Sequence, residues 1–391
     1  MKWFAIPLAM ILGAPALSLA WEVDNVTCRY SNLQDVGAQT NAETNRRIRQ
    51  ALEKANNGGE ELLDGMNFPP SLSKKRMESL RRRSKVNAGG SSGSSGGMEV
   101  PESNETEEQI MARRRAEAEQ RRQEERAELK YENTPEGCDP QKAMNALRGA
   151  IASAHMDNME TWAMGANISK CEVKPKDSVY QDFTLFESPV MRGFAGLNSV
   201  IQINGVKIGA DKMSHFMTEG FEYYMNQRRG KNLREVIQQG IEEEEGGYGL
   251  KATGIKSYAD MTANYQGYTF WRQVLEGNDP YLKCENGKWK MAREFRWEDY
   301  VIAGMDESVN CNSYKTDAMQ KKVETRTSAL VAAKDPGNAN KICPMDPEGC
   351  RQTLAAIREP AAAAVVIHPA CRRAGENMMS GTNSQPEDGV R

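Results

Sequence analysis

The chain has 391 residues and sets 51 Lys and Arg against 54 Asp and Glu, a net charge of −3. A total so close to balance excludes a protein that holds polyanions by bulk positive charge, and no nucleic-acid partner is expected. Eight cysteines, an even number, point to disulfides and an oxidising compartment.

The N-terminus carries Lys2, an apolar run from Trp3 to Leu19, and the small-x-small ending Ser18-Leu19-Ala20. That pattern predicts a signal peptide over 1–20, cleaved before Trp21, and a mature chain in the periplasm or secreted. The run is interrupted by Pro7, Gly13 and Pro15 and falls short of the ~20 residues that cross a bilayer, so no membrane span is expected.

Residues 21–86 read as a polar N-terminal region with one short helix near 43–54, ending in the basic stretch 74–85. NAGGSSGSSGG at 87–97 marks a flexible linker over 87–101. Residues 102–133 are nearly all Glu, Arg, Gln and Ala, with opposite charges four apart at Arg113/Glu117 and Glu117/Arg121. This predicts a single exposed helix, a spacer or coiled-coil-like stalk without an apolar stripe.

From 134 to 314 aromatics, hydrophobic periodicity and turn signals rise together, and this is the expected core domain. Helices are predicted over 143–165, 211–228, 233–245, 258–276 and 297–309. Asn204-Gly205 between alternating strands predicts a hairpin over 200–208, and Asn286-Gly287 predicts a second one. The fold class is therefore mainly α with small β-hairpins (α+β), supported by disulfides. Residues 315–391 read as a flexible, cysteine-containing tail.

Sequence neighbourhood favours disulfides Cys138–Cys171, Cys284–Cys311 and Cys343–Cys350. No C-x-x-C occurs and His155, His215 and His368 are scattered, so no metal is expected. Without a P-loop, a G-x-G-x-x-G after a strand or a G-x-S-x-G, no nucleotide cofactor or serine-hydrolase triad is expected either.

The chemistry concentrates in IEEEEGGYGLKATGIKSYAD, residues 241–260. Continuing the apolar face of Ile237 and Ile241 by helical period lands on Glu244 and then Glu245, while Glu242 and Glu243 point away. A carboxylate there, at the negative end of a helix that Gly246 and Gly247 terminate, has its pKa raised by desolvation and by the helix dipole. A general acid working near neutral pH needs that shift. Residues 248–256 read as a glycine-rich hairpin lining a cleft. Ser257 and Asp260 fit a capping box, with Asp260 also a candidate second catalytic carboxylate and Thr253, Ser257 and Tyr258 placed to hold water or substrate.

A helix ending in glutamate, a small Gly-rich hairpin and a second helix resembles the lysozyme superfamily of peptidoglycan-cleaving enzymes, nearest in feel to those exported by predatory bacteria. The resemblance rests on EEEEGGYGLKATGIKSYAD and spans 211–289 at most. It implies a glycosidase whose acid is Glu244 or Glu245.

Upstream, Asp211, His215 and Glu219 recur every four residues beside Lys212 and Tyr223. That stripe fits a metal triad, a proton relay, a sugar-binding wall, or a histidine held between carboxylates to fix helix packing. The aromatics Tyr265, Tyr268, Phe270, Trp271, Trp289, Trp297 and Tyr300 fall at spacings that read as core. Asn25, Asn104 and Asn167 head formal glycosylation sequons. The function expected is an exported glycoside hydrolase acting on cell-wall polysaccharide; the alternative is a non-catalytic envelope-binding or structural protein.

Overall fold

The computed structural model describes residues 22–57, 136–152, 158–189, 191, 196–246, 249–338 and 341–380. The expected signal peptide, the 87–101 linker, the charged helix over 102–133, His155 and Asn104 lie outside the described residues. The described residues fall in one of the two compact units into which the chain divides. That unit is mainly helical with three two-stranded antiparallel sheets. No helix among the described residues is long and apolar enough to cross a membrane.

The first described helices are the short α1 (Asn25–Cys28) and the long α2 (Gly37–Asn56); α3 (Pro140–Ile151) and α4 (Met159–Gly165) come next among the described residues. The α3 helix starts where Asp139 accepts hydrogen bonds from the amides of Gln141 and Lys142, with Pro140 in the first turn. It packs its Ala143, Met144, Leu147 and Ile151 face against α2, which buries Ile48, Ala51 and Leu52. The single helix expected over 143–165 is described as two, one ending at Ile151 and one starting at Met159, where the Asn158 side chain caps it.

The hairpin β1 (Val200–Ile203) and β2 (Val206–Gly209) pairs Ile203 with Val206. Asn204 and Gly205 have φ of 53° and 76°, the left-handed pair a type I′ turn requires. The second Asn-Gly pair joins β4 (Leu282–Glu285) to β5 (Lys288–Met291) in the same way, with Asn286 at φ 53° and Gly287 at 68°. The hairpin expected over 248–256 does not form. Thr253 instead closes a turn on Gly249, and β3 (Ile255–Ser257) pairs with the distant β6 (Asn312–Tyr314).

Residues 211–228 run as one helical path in three pieces: α5 (Asp211–Ser214), a π-helical segment (His215–Glu219) and α6 (Gly220–Arg228). Next come α7 (Leu233–Glu245), fixed by a capping box between Asn232 and Glu235, and α8 (Tyr258–Leu275), capped by Ser257. The π segment and α6 cross α8 backbone to backbone. A Cβ on Gly220 would lie 2.6 Å from Gly267 Cα, and one on Gly267 would lie 1.9 Å from the Phe216 carbonyl oxygen. Only glycine fits at both points, and the π bulge sits at the crossing. Gly267→Ala should therefore force the helices apart and cost about 1–3 kcal/mol, as overpacking does; an unchanged urea midpoint would show that the crossing yields freely.

Around that crossing stands the aromatic core, in which Phe216 packs on Phe270 (5.6 Å between centroids) and Trp297 (4.9 Å), and Phe295 stacks on Tyr300. Tyr265, Tyr268, Trp271 and Trp289 are buried as well, as their spacing suggested. The helix expected over 297–309 is replaced by two 3-10 turns, Trp297–Asp299 and Ala303–Met305. In the first of them Trp297 drops into the core, and after the second the Asp306 side chain accepts the Ser308 amide at 2.8 Å, an alternative to helical bonding.

The segment after 315 is not a flexible tail as far as Ser380. It forms α9 (Asp317–Lys334), α10 (Pro347–Ala356), α11 (Pro360–Val366) and α12 (Pro369–Met379). The Val366 carbonyl accepts from Thr262 on α8 and from Asn310, both at 3.0 Å, which seats α11 on the core.

None of the three expected disulfide pairings is present. The bonds are Cys28–Cys171, Cys138–Cys284, Cys311–Cys343 and Cys350–Cys371. The expectation ranked partners by distance along the chain, whereas the first two bonds span 143 and 146 residues. Cys171 bridges Val200 beside the small core of Val23, Cys28 and Val200, and so meets Cys28. Four disulfides with no free cysteine fit an oxidising compartment.

Candidate functional site

The glycine crossing sets the π segment beside the first turns of α8, and the polar residues of both helices meet there. Lys212, with a side chain of zero exposure, places Nζ 2.8 Å from Asp211 Oδ2, 2.6 Å from Asp260 Oδ1 and 2.7 Å from Glu307 Oε1. Burial opposes its charge, but the three carboxylates outweigh burial and raise its pKa well above the ordinary value. Lys212 is therefore a resident ammonium ion.

His215 sits one turn on and bridges to α8 twice. Its Nε2 lies 3.2 Å from Asp260 Oδ2, and its Nδ1 lies 3.0 Å from Asn264 Oδ1. For Asp260 burial pulls upward, yet His215 and Lys212 together overcome it and lower the pKa. Asp260 is thus held ionised in a nearly dry setting. Ser257 caps α8 by accepting the Asp260 amide at 3.1 Å and donates to Glu307 Oε1 at 3.1 Å. The expected capping box is only half made, because the Asp260 carboxylate turns to Lys212 and His215 instead.

Glu244 approaches from the end of α7. It is 6% exposed, and Gly249 covers it: a Cβ there would lie 2.9 Å from Glu244 Oε2. Burial first, and then the negative charges of Asp260 and Glu22, raise its pKa well above the ordinary carboxyl value, with Lys212 pulling weakly the other way. Glu22 is raised in the same sense by burial, Glu307 and Asp260. Burial is the larger cause in both, and like charge adds to it, since Glu22, Asp211, Glu244, Asp260 and Glu307 converge around the one ammonium of Lys212. Some of those carboxyls must keep their protons.

The sequence-derived candidates separate accordingly. Glu244, Asp260, Ser257 and His215 come together, and Thr253 joins them, being buried with its hydroxyl beside the Glu22 carboxyl. Glu245 does not: it is exposed and pairs with Lys256 at 2.6 Å, away from the buried cluster. Tyr258 does not either, because its ring packs edge-on against His368 at 5.0 Å under the Lys256 ammonium. Glu219 leaves the stripe as well. The π segment closes with the Gly220 amide bonding the His215 carbonyl, five residues back, so four residues no longer complete a turn. Glu219 faces Glu243 instead, and burial together with Glu243 and Glu222 pushes its pKa up to about 8.

No protein-family model, no curated protein and no solved structure matches the chain.

Two residues of the site had no signal in their own neighbourhoods, namely Glu22 and Glu307. Asp211, His215 and Asp260 offer ligand atoms within 4.8 Å of one another, the spacing of a metal-binding trio. Lys212 already supplies the positive charge shared by both aspartates, so the donor set is served by an ammonium ion. In the second such trio, Cys311 and Cys343 are joined in a disulfide beside His368, which removes both thiolates. Among the formal sequons, Asn25 is buried and donates its side-chain amide to the Lys207 carbonyl, which closes it to modification in the folded chain, while Asn167 is exposed.

Proposed function

We propose that the protein is an exported glycoside hydrolase acting on cell-wall peptidoglycan, related in mechanism to the lysozymes, with Glu244 as general acid and Asp260 as the ionised carboxylate. The observation that carries this reading is the separation of the two carboxyls: burial and like charge hold Glu244 protonated, while His215 and Lys212 hold Asp260 charged. Environments that push two acids apart assign one to donate a proton and the other to remain an anion. In that mechanism Glu244 delivers its proton to the glycosidic oxygen as the C–O bond breaks. Asp260 stabilises or captures the sugar cation, and water then supplies hydroxide to the anomeric carbon and returns a proton to Glu244. His215, with 11% of its side chain exposed, is the least buried of these residues and is where a sugar ring would approach.

The test is incubation of the purified chain with peptidoglycan sacculi and assay of soluble fragments for new reducing ends. Wild type is expected to release them, and Asp260→Asn to lower the rate about a hundredfold, within the range of acid–base contributions. New amino termini without reducing ends would replace the glycosidase by a peptidase.

A second reading has one observation behind it. Lys212 ties Asp211, Asp260 and Glu307 into one network from three parts of the chain. In a non-catalytic envelope-binding protein that network would serve the fold alone, and wild type would release no fragments.

A further inference from the structure

The pairing of β3 with β6 sets Ser257 directly opposite Asn312. Opposite residues of an antiparallel ladder project to the same face, and both side chains turn to one group, the Glu307 carboxyl in the loop before β6. Ser257 Oγ donates to Glu307 Oε1 at 3.1 Å, and Asn312 Nδ2 donates to Glu307 Oε2 at 2.8 Å while reaching the Tyr180 hydroxyl at 3.3 Å. Lys212 Nζ, 2.7 Å from Oε1, completes the set. Glu307 is buried, so its two oxygens meet three donors away from solvent.

Two of those donors lead onward. Lys212 Nζ also lies 2.6 Å from Asp260 Oδ1, so Glu307 helps to fix the point from which the ammonium reaches Asp260. The Ser257 hydroxyl, its proton committed to Glu307, turns a lone pair to the Asp260 amide at 3.1 Å, and the Ser257 backbone amide faces the Glu244 carboxyl. From one carboxyl, two arms thus run to both acids assigned to the reaction. Asp260 is faced besides by His215, Asp211, Glu22 and Glu244, and Glu307 by Glu22, Asp24, Asp211 and the phenols of Tyr180 and Tyr314.

We propose that Glu307 is a positioning residue of the site, holding Glu244 and Asp260 in register through Ser257 and Lys212. This rests on the glycosidase reading above and extends its machinery to a residue that acts only through others.

The decisive variant is Glu307→Gln in the full chain. Glutamine keeps the length and one accepting oxygen for Lys212 and Ser257, and puts an amide nitrogen where Asn312 donated. Asn312 Oδ1 has no hydrogen-bond partner among the described residues, so a turn of the Asn312 amide gives that nitrogen an acceptor and lets the variant fold. On peptidoglycan kcat should fall at least about tenfold with KM within about twofold of wild type, because alignment is lost and binding is not. With Lys212 shared by two carboxylates instead of three, Asp260 should ionise at lower pH, and the acid limb of the kcat/KM profile should move down with it. Glu307→Asp keeps the charge and withdraws it by one methylene, so it should lose kcat and leave the acid limb in place. Either variant suffices if the other does not fold. Wild-type kcat in a folded variant overturns the inference and leaves the glycosidase reading standing. Activity that falls only with the folded fraction, measured by urea unfolding, with the acid limb of Glu307→Gln unmoved, overturns it in favour of a structural role. If the wild type releases no reducing ends, the glycosidase reading fails and this inference with it.

Discussion

The Glu244→Gln variant is expected to release sugar fragments about a thousandfold more slowly than wild type while resisting denaturant better at neutral pH. On the proposed glycosidase reading, the activity loss follows from removing the proton that Glu244 would give to the leaving oxygen, a contribution of about 10²–10⁴. The stability gain follows from linkage. Burial, Asp260 and Glu22 raise the folded-state pKa of Glu244 above its unfolded value of about 4.3. A raised carboxyl favours folding fully below the unfolded pKa, and that contribution fades as pH climbs toward the folded pKa. Glutamine mimics the protonated acid and does not titrate. The two proteins should therefore have similar midpoints near pH 4, and the variant should pull ahead as pH rises. Midpoints measured between pH 4 and 8 decide the matter, and a variant that becomes relatively weaker with rising pH would show that Glu244 is ionised in the folded chain. The pH dependence of kcat/KM should be bell-shaped, its acid limb set by Asp260 and its alkaline limb by Glu244.

The second large effect concerns Lys212. Lys212→Met keeps much of the side-chain volume and removes the ammonium that Asp211, Asp260 and Glu307 share. Breaking a buried ion network from one side leaves charge without a counterion and costs about 3–5 kcal/mol, a large share of the roughly 5–15 kcal/mol that holds an ordinary domain folded. The three carboxyls of the variant should then hold protons more tightly when folded than when unfolded. Its deficit should shrink as pH falls from 7 toward 5, where the acids can neutralise themselves. Unfolding by urea at both values tests this; an equal deficit at the two would mean that lost packing, not lost charge, is responsible.

What the sequence discloses here is what is local. Asn204-Gly205 and Asn286-Gly287 specify their turns within two residues, and the capping box of Asn232 and Glu235 starts α7 where the periodicity says it should. Glu244 was legible because the helical period carries Ile237 and Ile241 onto it, and the same rule extended by one residue failed at Glu245, which has turned to Lys256. Lys212 drew notice only as a neighbour of Asp211. Its importance depends on Asp260 and Glu307, 48 and 95 positions further on, and no spacing rule links such residues. Gly220 and Gly267 did leave a trace, two glycines inside helical patterns, but each is informative only once its partner is known. The π segment between them shifted Glu219 off the face that a regular helix would have given it.

The order of the disulfides has a consequence for biogenesis. A chain threading N-terminus first into an oxidising space presents its thiols in sequence, and partners taken as they emerge would be Cys28 with Cys138 and Cys171 with Cys284. The native bonds Cys28–Cys171 and Cys138–Cys284 interlock instead, while Cys311–Cys343 and Cys350–Cys371 follow emergence order. The C-terminal half can thus oxidise correctly on arrival. Cys28 and Cys138 must either wait unpaired for some 140 residues or have early mistakes reshuffled, and only the second route calls for a thiol–disulfide isomerase.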